Sequence, residues 1–429
     1  QELGRLDEAE ASLTEAMTLR PDSAEAHNNL GNTLKELGRL DLAEASYRQA
    51  IYLKPDYADA HCNLGVTLQD LGRSDEAEAS YRQAIALKPD YAEAHHNLAT
   101  AKKFSLQDEQ FVQMKALYRD RTISEDQHCH ICFALAKAFD DIGELINAFE
   151  FYAEGNALRK KQLHYHKAQD KKLFEKLKAY YPHIAANPLG AEIASPEHIP
   201  IFIVGMPRSG TTLAESIISM NSEVLDLGEI NAFERSFKEW KEKKGKVDLV
   251  DLYMQRINKE LKSHITTNKW LYNYQYAGII ASQIPNSKII HCYRNPLDNI
   301  LSIYRTNFAK DNEYSSSLID CAIIYLDHKQ IMKEYKKRFP ENIYDLNYDL
   351  LVKNPDKEIK SLINWLGWKW KNAYLKPHLS KRSVFTASDV QIRSKINSKS
   401  IGGWKNYKEM LKPAMEIITK IDKYKDLKY

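Results

Sequence analysis

The sequence predicts a helical solenoid followed by an α/β domain with a parallel sheet. Three observations predict it. The first hundred residues repeat with a period of 34. An apolar run, Ile199 to Val204, feeds a loop bounded by Gly205 and Gly210. From about residue 198 onward, apolar strands alternate with helical patterns, the signature of strands joined by crossover helices.

The chain has 429 residues, 43% hydrophobic and 28% charged, which fits a folded water-exposed protein of two to three domains. A net charge of +3 is too small to imply a nucleic-acid partner. No apolar run approaches the roughly 20 residues of a membrane span. The cysteines (62, 129, 132, 292 and 321) do not form a disulfide framework, so a reducing, cytoplasmic setting is expected.

The repeat is anchored by Pro21, Pro55 and Pro89 and by Gly4, Gly38 and Gly72. Gly31 and Gly65 continue to Ala99, and Ala43 repeats at Ala77. Two helices per 34-residue unit is the tetratricopeptide pattern, and it covers residues 1–102. Small residues at Gly31, Gly65 and Ala43 let paired helices approach closely, and Pro55 and Pro89 end a helix between units. The first unit lacks its first helix, so residue 1 is not assumed to be the natural N-terminus. Asn28, Asn29, His61, Asn63, His95 and Asn97 fall near matching positions of the first helices. They suit hydrogen bonding to an extended segment laid along the concave face.

Residues 103–190 stay helical but lose clean periodicity, and read as divergent capping helices and a linker marked by Pro182, Pro188 and Gly190. Within them, His128-Cys129-His130-Ile131-Cys132 resembles a metal motif. Adjacent residues on a helix point to different sides and no second ligand cluster follows nearby, so no metal is expected there.

Residues 191–429 form the α/β domain, with strands expected at Ile199–Val204, Lys288–Tyr293 and Asn342–Leu346. Strand, Gly-bounded loop and helix make a phosphate-cradling loop, whose backbone N–H groups and helix N-terminus meet an anion. The candidates are Pro207, Arg208, Ser209, Gly210, Thr211 and Thr212. The loop has the G-x-x-x-x-G spacing of nucleotide-binding loops, but Thr211 stands where their Lys would be. Arg208 supplies the positive charge instead. Further on, Arg294 ends a strand, Pro296 turns the chain, and Ser302 follows in a helix. A guanidinium fork and a hydroxyl can converge there on a phosphate.

These segments resemble sulfotransferases that use 3′-phosphoadenosine 5′-phosphosulfate (PAPS). Gly205 to Thr212 resembles their 5′-phosphosulfate loop, and Arg294 with Ser302 resembles their 3′-phosphate site. Thr266 to Asn273 is similar to a stretch of tetratricopeptide-fused bacterial sulfotransferases and of tyrosylprotein sulfotransferases. The likeness implies that Lys269 contacts the bridging oxygen of the leaving group, where negative charge builds. Leu227-Gly228-Glu229 resembles the segment that holds the family's base, which implies that Glu229 takes the acceptor proton. The tyrosylprotein branch has two consecutive Glu and then an Arg. Here Ile230 and Asn231 follow Glu229 and Arg235 is displaced, which counts against a protein-tyrosine acceptor. Tyr344 to Leu351 resembles the region that places a Tyr near the adenine, implying Tyr348. Phe385 to Arg393 and Ser400 to Lys405 resemble the late clamping loop. They implicate Ser388 and, since Gly403 precedes the Trp where relatives carry a basic residue, Lys399 or Lys405.

The resemblance implies in-line sulfuryl transfer from PAPS to a hydroxyl, leaving 3′,5′-adenosine bisphosphate, with Arg208, Glu229 and Lys269 catalytic. A sulfuryl group carries less charge than a phosphoryl group and no acidic strand organises Mg²⁺, so no metal is expected. The acceptor expected is a protein or peptide recruited by the repeats, with a glycan or small molecule as the alternative. No nucleic-acid partner is expected, and a homodimer is compatible. Two rivals stand: a P-loop kinase, opposed by the missing Lys, and a tetratricopeptide scaffold with an inactive catalytic domain.

Overall fold

The computed structural model describes residues 2–163, 172, 174–177, 179, 198–257, 263–308, 312–380 and 393–428. They divide into two compact units, the first ending at Leu163. Ser388 lies outside the described residues, as does most of the Phe385–Arg393 segment.

The first unit is all helix: α1 (Glu2–Leu19), α2 (Ala24–Glu36), α3 (Leu40–Leu53), α4 (Ala58–Asp70), α5 (Ser74–Leu87) and α6 (Ala92–Ala101) carry the repeats. The small residues matter as the period implied. A Cβ on Gly31 would stand 2.5 Å from the Tyr47 ring, and one on Gly65 would stand 2.6 Å from the Tyr81 ring. Those tyrosines are the large buried side chains of α3 and α5. Lys54 and Lys88, each before a Pro, leave the helical region and end α3 and α5.

Four of the residues expected on the concave face already hold hydrogen bonds within the solenoid. The His61 and His95 rings hydrogen-bond the carbonyls of Pro55 and Pro89, at 3.0 and 2.9 Å, and so tie each helix to the turn before it. Asn63 donates to Asn28 across neighbouring repeats at 3.1 Å. These side chains spend their hydrogen bonds inside the solenoid because the repeat spacing brings each to an adjacent backbone or repeat partner.

Three further helices follow in this unit: α7 (Glu109–Arg119), α8 (Glu125–Ile142) and α9 (Leu145–Leu163). A capping box, with Ser124 and Gln127 bonding each other's backbone N–H, starts α8. Gly143, at φ +86, ends it in the left-handed conformation that glycine adopts without strain. α8 and α9 pack tightly together, with Gly155 beneath the Phe133 ring.

The second unit is a five-stranded parallel sheet of order β2-β3-β1-β4-β5. Its strands are β1 (Ile199–Gly205), β2 (Val224–Asp226), β3 (Ile265–Asn268), β4 (Lys288–Tyr293) and β5 (Ile343–Asn347). Apolar side chains cover both faces, as a parallel sheet requires. Ile201, Ile203, Ile217, Ile218, Ile290 and Leu362 fill one cluster. Phe202, Phe233, Tyr253 and Tyr276 form an aromatic group around the other face of β1. β2 and β3 were not evident in the sequence. Val-Leu-Asp and Ile-Thr-Thr-Asn are too short and polar for an apolar run, and pairing beside β1 makes them strands.

The helices that bear on the site are α10 (Thr211–Ile218), after β1, and α11 (Ala232–Glu242), after β2. They are joined by α12 (Leu249–Ile257), α13 (Asn273–Gln283), α14 (Pro296–Tyr304), α15 (Leu318–Arg338) and α16 (Tyr348–Lys353). From β1 the chain passes to β2 and β3 on one side, then crosses to β4 on the other. Ligands of open α/β sheets collect at the carboxyl ends of the strands where the order reverses. Here that place is the end of β1, where the glycine-bounded loop begins.

Candidate active site

The loop after β1 is built by glycine and by an unusual Arg. Gly205 has φ +155, and a Cβ there would sit 2.4 Å from the Cys292 carbonyl oxygen on β4. Arg208 adopts φ +64, the left-handed region that few non-Gly residues enter. Gly210 has φ +98 and forms the N-cap of α10, with no side chain capping that helix end. The N-terminus of α10, with its partial positive charge, therefore faces this loop. Ser209 is buried, and its Oγ has no hydrogen-bond partner among the described residues. A hydroxyl held dry and unpaired is costly unless something fills the cradle, so the loop suits a tetrahedral anionic group.

Two of the predicted cations, Arg208 and Arg294, meet around this loop. Arg208 Nε donates to Ser302 Oγ on α14 at 3.1 Å. Arg294, at the end of β4, is buried; its Nη2 donates to the Ser400 carbonyl at 2.6 Å and its Nη1 reaches the Arg208 carbonyl at 3.5 Å. Ser302 is thus bonded to Arg208, while Arg294 joins the same group through the Arg208 backbone. Tyr348, at the start of α16, lies under the Arg294 guanidinium, 4.8 Å from ring centroid to Cζ. It hydrogen-bonds Ser400 at 2.9 Å, and a Cβ on Gly210 would meet its ring at 2.4 Å. Thr211 and Thr212 are buried in the first turn of α10.

A residue the sequence reading missed holds the late loop in place. Asp298, buried on α14, accepts the N–H of Gly402 at 2.7 Å and of Trp404 at 3.0 Å. Lys405 is exposed and lines a cavity with Asn295, Asp298, Trp404 and Lys408. Nothing in the spacing of Asp298 distinguishes it from an ordinary helix-start carboxylate.

The second cluster lies at the end of β3. Backbone pairing continues past the strands: Leu227 N–H donates to the Thr267 carbonyl, and Lys269 N–H to the Gly228 carbonyl at 2.9 Å. That ladder sets Glu229 beside Lys269, whose Nζ donates to Glu229 Oε1 at 2.5 Å. Lys269 is 1% exposed, whereas the Glu229 side chain is one-third exposed. Burial opposes a charge on Lys269, but the Glu229 carboxylate in direct contact outweighs it and holds its pKa above the ordinary lysine value.

Glu215 was also not singled out in the sequence. It sits on α10, the helix that leaves the loop, 3.8 Å from Lys269 Nζ, and accepts from Thr267 Oγ1 at 3.2 Å. Burial, with Asp226 nearby, drives its carboxyl well above the usual range. The one available signal was a carboxylate within an apolar helical stretch.

Residues 200–372 match the model of the sulfotransferase family. Residues 2–38 and 31–72 match a TPR repeat model, and residues 58–91 match the tetratricopeptide repeat. An uncharacterized protein of Aquifex aeolicus (strain VF5) is 29% identical over 353 residues, covering 74% of this chain and 46% of the relative. The chain thus spans about half the length of that curated relative. Among solved structures, the sulfotransferase domain from the curacin biosynthetic pathway is 18% identical, with TM-score 0.37, over 48% of this chain and 89% of that one. Sulfotransferase STF9 from Mycobacterium avium is 10% identical, with TM-score 0.31, over 72% of this chain and 98% of that one. The chain combines tetratricopeptide repeats with a sulfotransferase domain. No helix among the described residues is long and apolar enough to cross a membrane.

Proposed function

We propose that this chain transfers a sulfuryl group from PAPS to an acceptor hydroxyl. The observation that carries the reading is the loop of Pro207 to Thr212, with its dry unpaired Ser209 hydroxyl, ringed by Arg208, Arg294 and Ser302. The loop and α10 would take the 5′-phosphosulfate, and Arg294 with Ser302 the 3′-phosphate. Tyr348, Ser388 and Lys405 would complete the nucleotide site. Bound PAPS supplies the activated sulfuryl group.

The chain's residues do the rest. Glu229, the more exposed partner of the Lys269 pair, takes the acceptor proton. Lys269 stays charged and stabilises the oxygen left behind as the S–O bond breaks. Arg208 stabilises charge on the transferred group. Glu215 keeps Lys269 in place from the α10 side. The acceptor reaches the site as a hydroxyl on a protein, peptide, glycan or small molecule. The internal hydrogen bonds of His61, His95, Asn28 and Asn63 remove much of the support for a peptide laid along those side chains.

Calorimetric titration with 3′,5′-adenosine bisphosphate, with ATP and with adenosine 5′-phosphosulfate tests the reading. The bisphosphate should bind at least about 10-fold more tightly than either, because each rival lacks the 3′-phosphate. Preference for ATP would turn the reading to a kinase. Tight bisphosphate binding without transfer of label from radioactive PAPS to any hydroxyl acceptor would turn it to an inactive scaffold.

A further inference from the structure

The segment His128 to Cys132 acquires a partner that its own spacing does not show. On α8, His128 and Cys132 are four residues apart and so share one face. Glu154 on α9 meets that face. His128 Nε2 lies 2.9 Å from Glu154 Oε1, and the ligand atoms of His128, Cys132 and Glu154 all fall within 4.8 Å of one another. We propose that these residues form a zinc(II) site that staples α8 to α9, independent of the transfer chemistry.

The donor set is the reason. Imidazole nitrogen, thiolate sulfur and carboxylate oxygen together are the ligands of Zn²⁺, which takes them at about 2.0–2.3 Å in a tetrahedron. Tetrahedral angles at those lengths put ligand atoms roughly 3.3–3.8 Å apart. The His128–Glu154 separation of 2.9 Å is just below that range and every other separation is within 4.8 Å, so a small opening of the His128–Glu154 hydrogen bond seats the ion. Cys132 is fully buried, while His128 and Glu154 keep 24% and 40% of their side chains exposed. Three protein ligands on one buried side and solvent on the other leave the fourth position to water.

The surroundings fit a ligand set. Tyr118 on α7 donates to the second carboxylate oxygen of Glu154 at 2.8 Å, and its ring lies against His128 with centroids 4.9 Å apart. A hydrogen-bonded carboxylate and a fixed imidazole are what outer partners of a metal provide. On binding, the Cys132 thiol gives its proton to solvent, Sγ, Nε2 and Oε1 bond the ion, and no electron moves.

The test uses the whole chain, stripped of metal with a chelator. Titration with ZnCl₂ in a calorimeter should show equimolar uptake. Titration with Co²⁺ should bring up the near-ultraviolet band of a thiolate–cobalt bond. Cys132→Ser should abolish that band. Glu154→Gln, at an exposed position that tolerates the change, should weaken zinc by more than about 10-fold, the loss typical even of outer-partner changes. Cys129→Ser should change neither, because that thiol turns to the Gly155 carbonyl at 3.4 Å. No equimolar uptake by the unmodified chain, or uptake unchanged in Glu154→Gln, overturns the proposal and leaves a Tyr118–Glu154–His128 hydrogen-bonded group.

Discussion

Lys269 Nζ and Glu229 Oε1 lie 2.5 Å apart, brought together by the backbone ladder that extends β2 and β3 past their last residues. The proposed cation and the proposed base are therefore one unit before any acceptor arrives. Lys269→Met should lower kcat by about 10²–10³-fold, the usual loss of one transition-state charge stabiliser. Glu229→Gln should lower it by about 10²–10⁴-fold. Residues acting as a unit are non-additive, so the double variant should fall within about 10-fold of the slower single one. Multiplying losses would separate the two roles.

Arg294 is aimed by two carbonyls, those of Ser400 and Arg208, and stacked on Tyr348. Arg294→Ala should weaken 3′,5′-adenosine bisphosphate by about 1.5–3 kcal/mol, the worth of a charge-assisted hydrogen bond. Binding of an analogue without the 3′-phosphate should barely change. Equal losses for both ligands in calorimetry would remove Arg294 from the 3′-phosphate.

Asp298 clamps the loop that presents Ser400 to Arg294, through the N–H groups of Gly402 and Trp404. Asp298→Ala leaves both donors unpaired and frees that loop. Affinity for the bisphosphate should fall about 10- to 100-fold, equal to roughly 1.5–3 kcal/mol. Hydrogen exchange at Gly402 and Trp404 should quicken at the same time. Unchanged exchange would show that other contacts hold the loop.

His291 and His328 lie ring to ring, 5.0 Å between centroids, and both are buried. Burial lowers both pKa values, that of His328 well below the ordinary 6.5, with His291 and Lys329 adding to it. The Asp345 carboxylate, 2.5 Å from His291, opposes the shift on that ring alone. The unfolded chain therefore takes up protons near pH 6.5 that the folded chain refuses. Stability from these rings is present above 6.5 and is lost as pH falls below it, by up to about 1.4 kcal/mol per pH unit for each. Urea midpoints at pH 7.5 and 5.0 should differ less in His328→Phe than in the unmodified chain. Equal differences would place the acid sensitivity elsewhere.

Local pattern determined much of this protein. A 34-residue period requires paired helices, since each unit buries its apolar face only against its neighbours. The run from Ile199 to Thr212 encodes strand, turn and helix in consecutive residues, so the glycine-bounded loop was legible. Arg294 and Ser302 were legible as candidates because they flank one turn. Tertiary structure decided the rest, because it joins residues through separate elements. β2 and β3 exist only by pairing beside β1. Glu215 and Asp298 read as ordinary helix carboxylates until folding buries them against Lys269 and the Gly402 loop. His61 and His95 looked free for a partner until each found the carbonyl six residues earlier. A hydrogen bond depends on distance and direction in space, and between distant segments only the packed fold supplies those.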